Sequence, residues 1–287
     1  MQHIEMDDRL VWLLNAFELH AKVFQAGPLC GTSLFDGQDG RGYIHVLRKG
    51  TLEVEARGQP TLSFEEPALI FFMNPLEHRL LPRDEAETVC ASFEFGGGLG
   101  NPLTRALPAV FSLHLRDAPS LSTTLSLLFT EASEQHCGRQ AVLDRLIEIV
   151  IVRLLRDLMD QKRLRIGLLA GLADAKLAKA INAMHAQPAH AWTLETLAAL
   201  AGMSRARFAA NFRDTVGTPP LAYLTEWRIS AAQSLLSRGK SIACVANAVG
   251  YGGASALSRA FVACTGVSPK VWLQRQQRDT TAEPPIR

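Results

Sequence analysis

The spacing of apolar residues divides the chain into a strand-rich part and a helical part. Up to residue 116, short apolar or alternating runs recur, among them YIHVLRKG, LEVEARG, ALIFFMN, HRLLP, TVCASFEF and FSLHL. Turn-forming segments such as DGQDGRG and GGGLGNP separate them. Alternation over such short lengths predicts β-strands, and many short strands at close spacing predict a small antiparallel barrel or sandwich. We therefore expect a β-domain over residues 1–116, in a chain of the α+β class.

From Pro119 onward the apolar residues follow the period of a helix. Within residues 139–162 they form one stripe: Leu143, Ile147, Val150, Leu154 and Leu158. An adjacent row widens this face: Val142, Leu146, Ile149 and Val150. Such a face can pack on the chain's own β-domain or pair with the same helix of a second chain, and the sequence leaves both open. We predict a helical dimerisation segment over residues 117–165 and a linker over residues 166–174.

Residues 175–278 are predicted to be wholly helical, and residues 279–287 to form a disordered tail. The predicted helix ends coincide with three N-cap residues and three glycine stops: Thr193, Ser204 and Ser241, and Gly217, Gly239 and Gly266.

The helical part contains an internal repeat with a period of about 49 residues. The anchors of the first copy are Leu197, Ala198, Gly202, Phe208, Phe212, Gly217, Pro220 and Tyr223. They correspond to Val245, Ala246, Gly250, Leu257, Phe261, Gly266, Pro269 and Trp272. Each copy reads as a helix, a glycine-containing turn and a second helix, which is the helix-turn-helix plan.

The net charge of +2 hides an asymmetry between the two parts. Residues 175–287 hold 13 basic and 5 acidic residues, a balance of +8, whereas residues 1–174 hold 17 and 23, a balance of −6. A basic helical part on an acidic β-part favours a polyanion as the partner of the helical part.

The remaining composition excludes several classes of protein. No apolar run reaches the roughly 18 residues of a membrane helix, and the two aspartates near the N-terminus are unlike the basic start of a signal peptide. Five widely spaced cysteines do not form a disulfide framework. We therefore expect a cytoplasmic protein.

At the repeat, the sequence resembles a known family. Residues 175–275 resemble the tandem helix-turn-helix domain of AraC-type transcriptional regulators, through the motifs LAALAGMSRARFAANFRDTVGTPPLAYL and IACVANAVGYGGASALSRAFVACTGVSPKVW. The resemblance implies that the partner is double-stranded DNA and that both second helices enter successive major grooves. It favours an activator, for which RNA polymerase would be a further partner.

The family's base-contacting positions carry over to residues on both second helices. They fall on Ala206, Ala209 and Ala210 in the first copy and on Ala254, Ser255, Ser258 and Arg259 in the second. Alanine cannot donate a hydrogen bond to a base edge, so we expect the first helix to hold phosphates through Arg205, Arg207 and Arg213. Arg259 would then read guanine O6 and N7. The segment GGAS stands where the family commonly has polar residues, and FVACTG lacks the basic residues usual after that phenylalanine; both departures favour a homodimer.

The strand-rich part resembles, more loosely, the cupin-like barrel that precedes this domain in one branch of the family. The landmarks are LLNAFELHAKVFQAGPLCG, HVLRKGTLEVE, ALIFFMNPLEHRLL and NPLTRALP, and the layout is similar to that of the branch that senses reactive chlorine. Candidate sensor residues are Cys30, His45, His78 and Cys90. Two histidines and two cysteines suit a tetrahedral zinc site. Alternatively, Cys30 and Cys90 form a redox thiol pair, some of the four contact an organic effector, or all four are structural.

Three classes of function follow from these features. The leading interpretation is a DNA-binding transcriptional regulator whose cupin-like domain senses a small molecule, metal or oxidant. A cupin metalloenzyme with an appended helical domain is the alternative, but Tyr43 stands where the cupin HxH pattern needs a second histidine before His45. A third class is a protein-binding helical repeat, which the charge of +8 disfavours.

Overall fold

A computed structural model describes residues 8–37, 40–96, 101–103, 107–161, 164 and 166–281. The chain forms two compact units. The β-unit comprises Leu19–Phe95 and Leu107–Gln161, and the helical unit comprises the residues up to Glu18, residues 96–106 and the chain from residue 162 onward.

The β-unit consists of two antiparallel sheets followed by helices. Its strands are β1 (Leu19–Pro28), β2 (Ser33–Phe35), β3 (Gly42–Lys49), β4 (Leu52–Ala56), β5 (Leu62–Phe64), β6 (Ala68–Phe72), β7 (His78–Pro82), β8 (Glu87–Phe95) and β9 (Val110–His114). The five-stranded sheet has the order β1-β8-β3-β6-β9, and the four-stranded sheet the order β2-β7-β4-β5. All six strand-forming runs of the sequence are confirmed, together with the antiparallel architecture.

Two helices of the β-unit follow the last strand, α2 (Ser122–Ser133) and α3 (Arg139–Asp160). The predicted apolar stripe of α3 is buried along its whole length, from Leu143 to Leu158. In the adjacent row Leu146 is buried, whereas Val142 and Ile149 are 42% and 46% exposed. The first of the two expected roles of this face, packing on the β-domain, is therefore confirmed for the stripe.

Helix α3 covers the edge of the five-stranded sheet. The amide of Val23 in β1 donates to Asp144 Oδ1 at 2.7 Å, and the amide of Ala21 donates to Glu148 Oε1 at 3.2 Å. Gln140 Nε2 donates to the Val23 carbonyl at 2.7 Å. Because β1 has only β8 as a strand neighbour, its other edge would present unpaired backbone groups, and these side chains pair them.

The helical unit contains α1 (Val11–Ala16), α4 (Leu168–Ala173), α5 (Ala175–Ala186), α6 (Leu194–Leu200), α7 (Arg205–Val216), α8 (Pro220–Ser237), α9 (Ile242–Ala248), α10 (Ala254–Thr265) and α11 (Pro269–Thr281). The predicted N-caps are confirmed, because the side chains of Thr193, Ser204 and Ser241 each accept a backbone amide. Gly217 and Gly266 end their helices with positive φ.

The prediction of a linker over residues 166–174 is wrong. Residues 168–173 form α4, in which Leu168, Leu169 and Leu172 are at most 4% exposed. Gly171 lies close enough to α7 that an added Cβ would meet the Val216 side chain at 2.8 Å. The segment is short and glycine-rich, but its leucines supply apolar area to the helical core. The predicted tail is also too long, because α11 includes residues 279–281; residues 282–287 lie outside the described part.

The first described residues belong to the helical unit, although the sequence places them in the β-domain. Phe17 is fully buried, with its ring edge-on to Trp227 of α8 at 5.4 Å. Ser234 Oγ donates to the Ala16 carbonyl at 2.8 Å, and the guanidinium of Arg9 donates to the Ala173 carbonyl at 3.0 Å. The predicted boundary failed because a short amphipathic segment carries no signal for the distant partner on which it packs.

Candidate nucleic-acid interface

The first helix-turn-helix copy consists of α6 and α7. A capping box of Thr193 and Thr196 starts α6, and Ser204 caps α7. Phe208 and Phe212, one turn apart on α7, are fully buried and lie with ring centroids 5.6 Å apart. These aromatic anchors fix which face of α7 points into the unit, as the repeat predicts.

The second copy consists of α9 and α10 and has the same construction. Its anchors Val245, Leu257 and Phe261 are fully buried, and Phe261 contacts Trp272 of α11 edge-on at 6.0 Å. Gly253, with a φ of 153°, precedes α10 where Ser204 caps the first copy, so α10 has no side-chain N-cap. The glycine-rich start of α10 therefore leaves its first amides without a side-chain acceptor.

The predicted DNA-reading positions lie on the surface of both second helices. On α7, Ala206, Arg207, Ala210 and Arg213 are exposed, as is Arg205, and Ala209 is half-buried. On α10, Ala254, Ser255 and Arg259 are exposed and Ser258 is half-buried. Each reading set thus lies away from its buried aromatic anchors.

The four arginines of the helix-turn-helix copies have different surroundings. Arg205 Nη1 donates to Glu195 Oε1 of α6 at 2.6 Å, and this hydrogen bond lowers the pKa of the Glu195 carboxyl. Arg213 lies 3.4 Å from Asp214. Among the described residues, neither Arg207 nor Arg259 takes part in an ion pair. The sequence predicts three equivalent phosphate-holding arginines on α7, whereas the structure leaves Arg207 as the one without a carboxylate neighbour in the described ion pairs.

Arg228 lies on α8, the helix that joins the two copies, and binds backbone carbonyl groups of the loop before α6. Its guanidinium donates to the Pro188 carbonyl at 2.7 Å and to the His190 carbonyl at 2.9 Å. Gly250, in the turn of the second copy, lies against the same loop: an added Cβ would come within 2.7 Å of Ala189 Cα. The loop before α6 is therefore held both by α8 and by the second turn. An arginine in an amphipathic helix gives no sequence signal for this role.

In the β-unit the structure brings His45 and His78 together. Both are buried, and their Nε2 atoms lie 2.9 Å apart. His78 Nδ1 lies 2.7 Å from the Leu76 carbonyl, which requires a proton on Nδ1. In the neutral pair His78 Nε2 is then the acceptor and His45 Nε2–H the donor. Burial, and then the nearby His78, holds the pKa of His45 well below its usual range.

Aromatic side chains enclose the histidine pair. The ring of Phe72 stacks on His78 at 3.8 Å, and Phe35 stacks on it at 4.6 Å. Tyr43 lies 5.3 Å from His78. His45 Nδ1 is buried and has no hydrogen-bond partner among the described residues.

The four predicted sensor residues do not form the expected tetrahedral site. Cys90 is opposite His45 in the register of β3 and β8, but Cys30 is exposed whereas the other three are buried. The described residues include no group of three or more side chains suited to hold a metal ion. The Nε2 atoms of the two histidines moreover hydrogen-bond to each other, so this donor set does not fit zinc.

The thiol-pair hypothesis meets a similar difficulty. Burial raises the pKa of the Cys90 thiol to about 12, which removes the thiolate character that redox reactions need. Cys90 Sγ lies 3.7 Å from Thr88 Oγ1 and belongs to the apolar core. Cys90 therefore acts as a small apolar residue.

Comparison with known families agrees with both halves of the fold. A family described as Cupin matches residues 8–160, which is more than half of the chain, and a family described as Helix-turn-helix domain matches residues 197–275. The chain belongs to the AraC-type regulators that carry a cupin domain.

Named relatives have the same classification. A putative AraC-like transcription regulator of Streptomyces antibioticus is 38% identical over 53% of this chain and 51% of its own length. The RCS-specific HTH-type transcriptional activator RclR of Escherichia coli strain K12 is 29% identical over 80% of this chain and 84% of its own. The chain thus spans about half the length of the first relative. A solved structure, the DNA-binding domain of AdpA in complex with a target DNA, is 30% identical over 37% of this chain and 96% of that chain, with a TM-score of 0.34.

No helix in the described part of the chain has the length and apolar character needed to cross a membrane.

Proposed function

We propose that this chain is a transcriptional regulator that binds double-stranded DNA through α7 and α10, and that it is not an enzyme. The observation that carries the proposal is the pair of matching helix-turn-helix copies, each with its aromatic or aliphatic anchors buried and its reading positions exposed. The basic balance of residues 175–287 supplies the charge that phosphate binding needs. Because the DNA partner would be met there, we propose that the protein acts in the cytoplasm.

Within this interface we propose that the two reading helices have different roles. Arg259 on α10 is exposed and free of ion pairs among the described residues, which suits bidentate hydrogen bonding to guanine. The alanines of α7 offer only methyl groups to base edges, and Arg207 on the same helix suits a phosphate. Helix α10 would then carry more of the sequence discrimination.

The experiment starts with selection of bound sequences from random duplex DNA by the full chain. The affinity for the selected sequence and for a scrambled one is then measured by fluorescence anisotropy. Arg259→Ala should lose discrimination worth about 1–3 kcal/mol and retain nonspecific binding. Arg57→Ala, which removes an equally charged and 82% exposed side chain from the β-unit, is the control. Equal losses on both DNAs would contradict the base-reading role, and no salt-dependent binding at all would contradict the function.

We propose further that the chain acts as a homodimer through α2 and α3. Val142 and Ile149, seven residues apart on α3, and Leu127 on α2 are exposed apolar side chains in one unit. Replacing Val142 and Ile149 together by lysine should give a monomer in light scattering, whereas lysine at the more exposed Leu34 of β2 should not. A wild-type monomer at all concentrations would contradict the dimer.

For the β-unit we propose a sensory role centred on the His45–His78 pair, with a small molecule or an oxidant as the signal. A fully buried polar pair with an unsatisfied nitrogen costs stability, and a sensory role would account for it. Hypochlorite is the first probe, because the Escherichia coli relative is named for reactive chlorine species. DNA affinity should change on treatment in wild type and less in His78→Asn. A reporter gene placed next to the selected DNA sequence would distinguish activation, which we favour, from repression: its expression should rise with the protein in the first case and fall in the second.

A further inference from the structure

The loop between α5 and α6, residues 187–193, leads into the first helix-turn-helix copy. It is folded on itself: the His190 amide donates to the Gln187 carbonyl at 3.1 Å, and the Trp192 amide donates to the His190 carbonyl at 2.9 Å. The indole Nε1 of Trp192 also donates to the Gln187 carbonyl, at 3.0 Å. Because α6 follows this loop directly, the position of the loop determines where the first copy begins.

Arg228 and Gly250 hold the middle of this loop from outside it. The guanidinium of Arg228 donates to the carbonyls of Pro188 and His190. The residue between them, Ala189, packs on the turn of the second copy, where a Cβ added to Gly250 would lie 3.0 Å from the Ala189 carbonyl oxygen. The same short stretch of chain thus contacts both α8 and the second copy.

Without this loop, α8 would be the main connection between the two copies. The second half of α8 belongs to the core of the second copy, where Ile229 clusters with Phe261. Its first half contacts the first copy, since the Tyr223 ring lies 5.6 Å from that of Phe212 in α7. One helix that joins two bodies can bend, and a second contact between the bodies restricts that motion. The loop supplies this second contact, and Arg228 fastens it to α8.

Arg228 suits this contact better than it suits a DNA phosphate. It is half-buried, whereas Arg207 and Arg259 of the reading helices are exposed. Burial lowers the pKa of its guanidinium, which still stays charged at neutral pH. Among the described ion pairs Arg228 has no carboxylate partner, so the two carbonyl oxygens compensate its charge. A planar guanidinium offers several donors in a fixed fork and can bind both carbonyls at once, which the compact ammonium group of a lysine does less well.

We propose that Arg228 is a positioning residue for DNA recognition: by binding the Pro188 and His190 carbonyls, it fixes the first helix-turn-helix copy relative to the second. The inference rests on the proposed DNA-binding function and deepens it. The protein then sets the distance and the rotation between the two DNA segments that α7 and α10 contact, so its binding site has one preferred spacing. Loss of Arg228 frees the loop from α8 and lets the two copies adapt to other spacings.

The spacing of the DNA site distinguishes positioning from simple attraction of charge. One duplex carries the selected sequence, and a second carries it with one base pair inserted between the two contacted segments, which moves one segment by about 3.4 Å and rotates it by about 35°. Fluorescence anisotropy gives the ratio of the two affinities. For wild type the insertion should reduce the affinity on the order of tenfold or more, and for Arg228→Ala about threefold or less.

Two further variants control for the charge of Arg228. Arg228→Lys keeps the charge but replaces the fork by one ammonium group, so its affinity ratio should lie between those of wild type and Arg228→Ala. Lys179→Ala removes an equal charge from an exposed position of α5 and should keep the wild-type ratio. The positioning role is overturned if Arg228→Ala weakens binding to both duplexes by the same factor, as loss of a phosphate contact would, or if Lys179→Ala changes the ratio as much.

Hydrogen exchange of the free protein tests the same contact without DNA. The amides of His190 and Trp192 in the loop and of Tyr251 in the second turn are hydrogen-bonded to backbone carbonyls. In Arg228→Ala their exchange should accelerate on the order of tenfold, whereas the Phe208 amide of α7 should stay as protected as in wild type, which shows that the variant still folds. Unchanged exchange in the loop would overturn the positioning role whatever the DNA results. Faster exchange without any salt-dependent DNA binding would contradict the proposed function, and with it the role in recognition, while confirming the contact itself.

Discussion

Arg205 at the start of the first reading helix is held by Glu195 of the preceding helix, with 2.6 Å between Nη1 and Oε1. Both side chains are at least 60% exposed, so the pair contributes little to folding. The pair instead affects DNA binding, because an arginine that already faces a carboxylate is less available to a DNA phosphate.

Glu195→Gln should therefore strengthen DNA binding. Release of Arg205 for one phosphate contact predicts a salt dependence of log affinity that is steeper by about one counterion. Anisotropy titrations over a range of salt concentrations measure this slope. In an Arg205→Ala background the same substitution should give a much smaller gain. An equal gain in both backgrounds would mean that Glu195 acts by long-range repulsion alone.

Gly250 and Gly202 occupy corresponding turns, but only Gly250 touches the neighbouring loop. Both have positive φ, 85° and 62°, and an added Cβ at 250 would strike the Ala189 backbone, whereas at 202 it would meet nothing within 4 Å. Gly202→Ala should cost about 1 kcal/mol of unfolding free energy from backbone strain. Gly250→Ala should cost more, because Ala189 must move. Urea denaturation followed by helical circular dichroism compares them, and equal costs would contradict the close packing.

His185 should make the helical unit sensitive to acid. The folded pKa of about 3 lies below the usual value of about 6.5 in the unfolded chain, so the unfolded state binds more protons between these pH values. The contribution of His185 to stability is then complete above pH about 6.5 and is lost as the pH falls, by roughly 1.4 kcal/mol per unit.

The measurement is the unfolding free energy of the full chain at pH 7 and pH 5. His185→Gln keeps a group that can bond the Tyr223 hydroxyl and should reduce the loss on acidification by about 2 kcal/mol. His190→Gln removes an exposed histidine of the same unit and serves as the matched control. An unchanged pH dependence in His185→Gln would show that the imidazole is not buried as a neutral group.

Asp144 should protect the edge of the β-unit. Asp144→Ala leaves the Val23 amide without its acceptor and should cost about 1–3 kcal/mol, whereas Asp144→Asn keeps an oxygen there and should cost less. An uncovered strand edge also promotes association. Thermal unfolding and light scattering of the two variants test both effects. Aggregation of Asp144→Asn at the level of Asp144→Ala would rule out the edge-covering role.

The sequence was sufficient where a local pattern decides the structure. The repeat places Phe208 and Phe261 in the core because matched anchors at matched spacing leave one buried face for each helix. It also separates the reading positions from that face. The strand-forming runs succeed because β3 and β6 lie in the middle of a sheet, where residues 42–47 and 68–72 are buried without a break.

The features that escaped prediction depend on contacts between distant residues. β1 alternates only over Leu19–Val23 and not over residues 24–28, and polar side chains of α3 pair one of its edges. Cys30 and Cys90 look like equivalent thiols in the sequence, but burial separates them chemically. Arg228 and Glu195 act on the predicted DNA interface through hydrogen bonds to residues outside their own helices. No rule of sequence spacing relates them to those partners.

The contact of α1 with α8 bears on how the protein is made. Ser234 bonds the Ala16 carbonyl across 218 residues of sequence, and the ring contact of Phe17 with Trp227 spans almost as many. On the ribosome, the apolar side chains of Leu13 and Phe17 therefore emerge long before the surface that shelters them exists. Contacts of such separation form late and slowly. The nascent chain must keep these residues soluble until almost all of it has been synthesised.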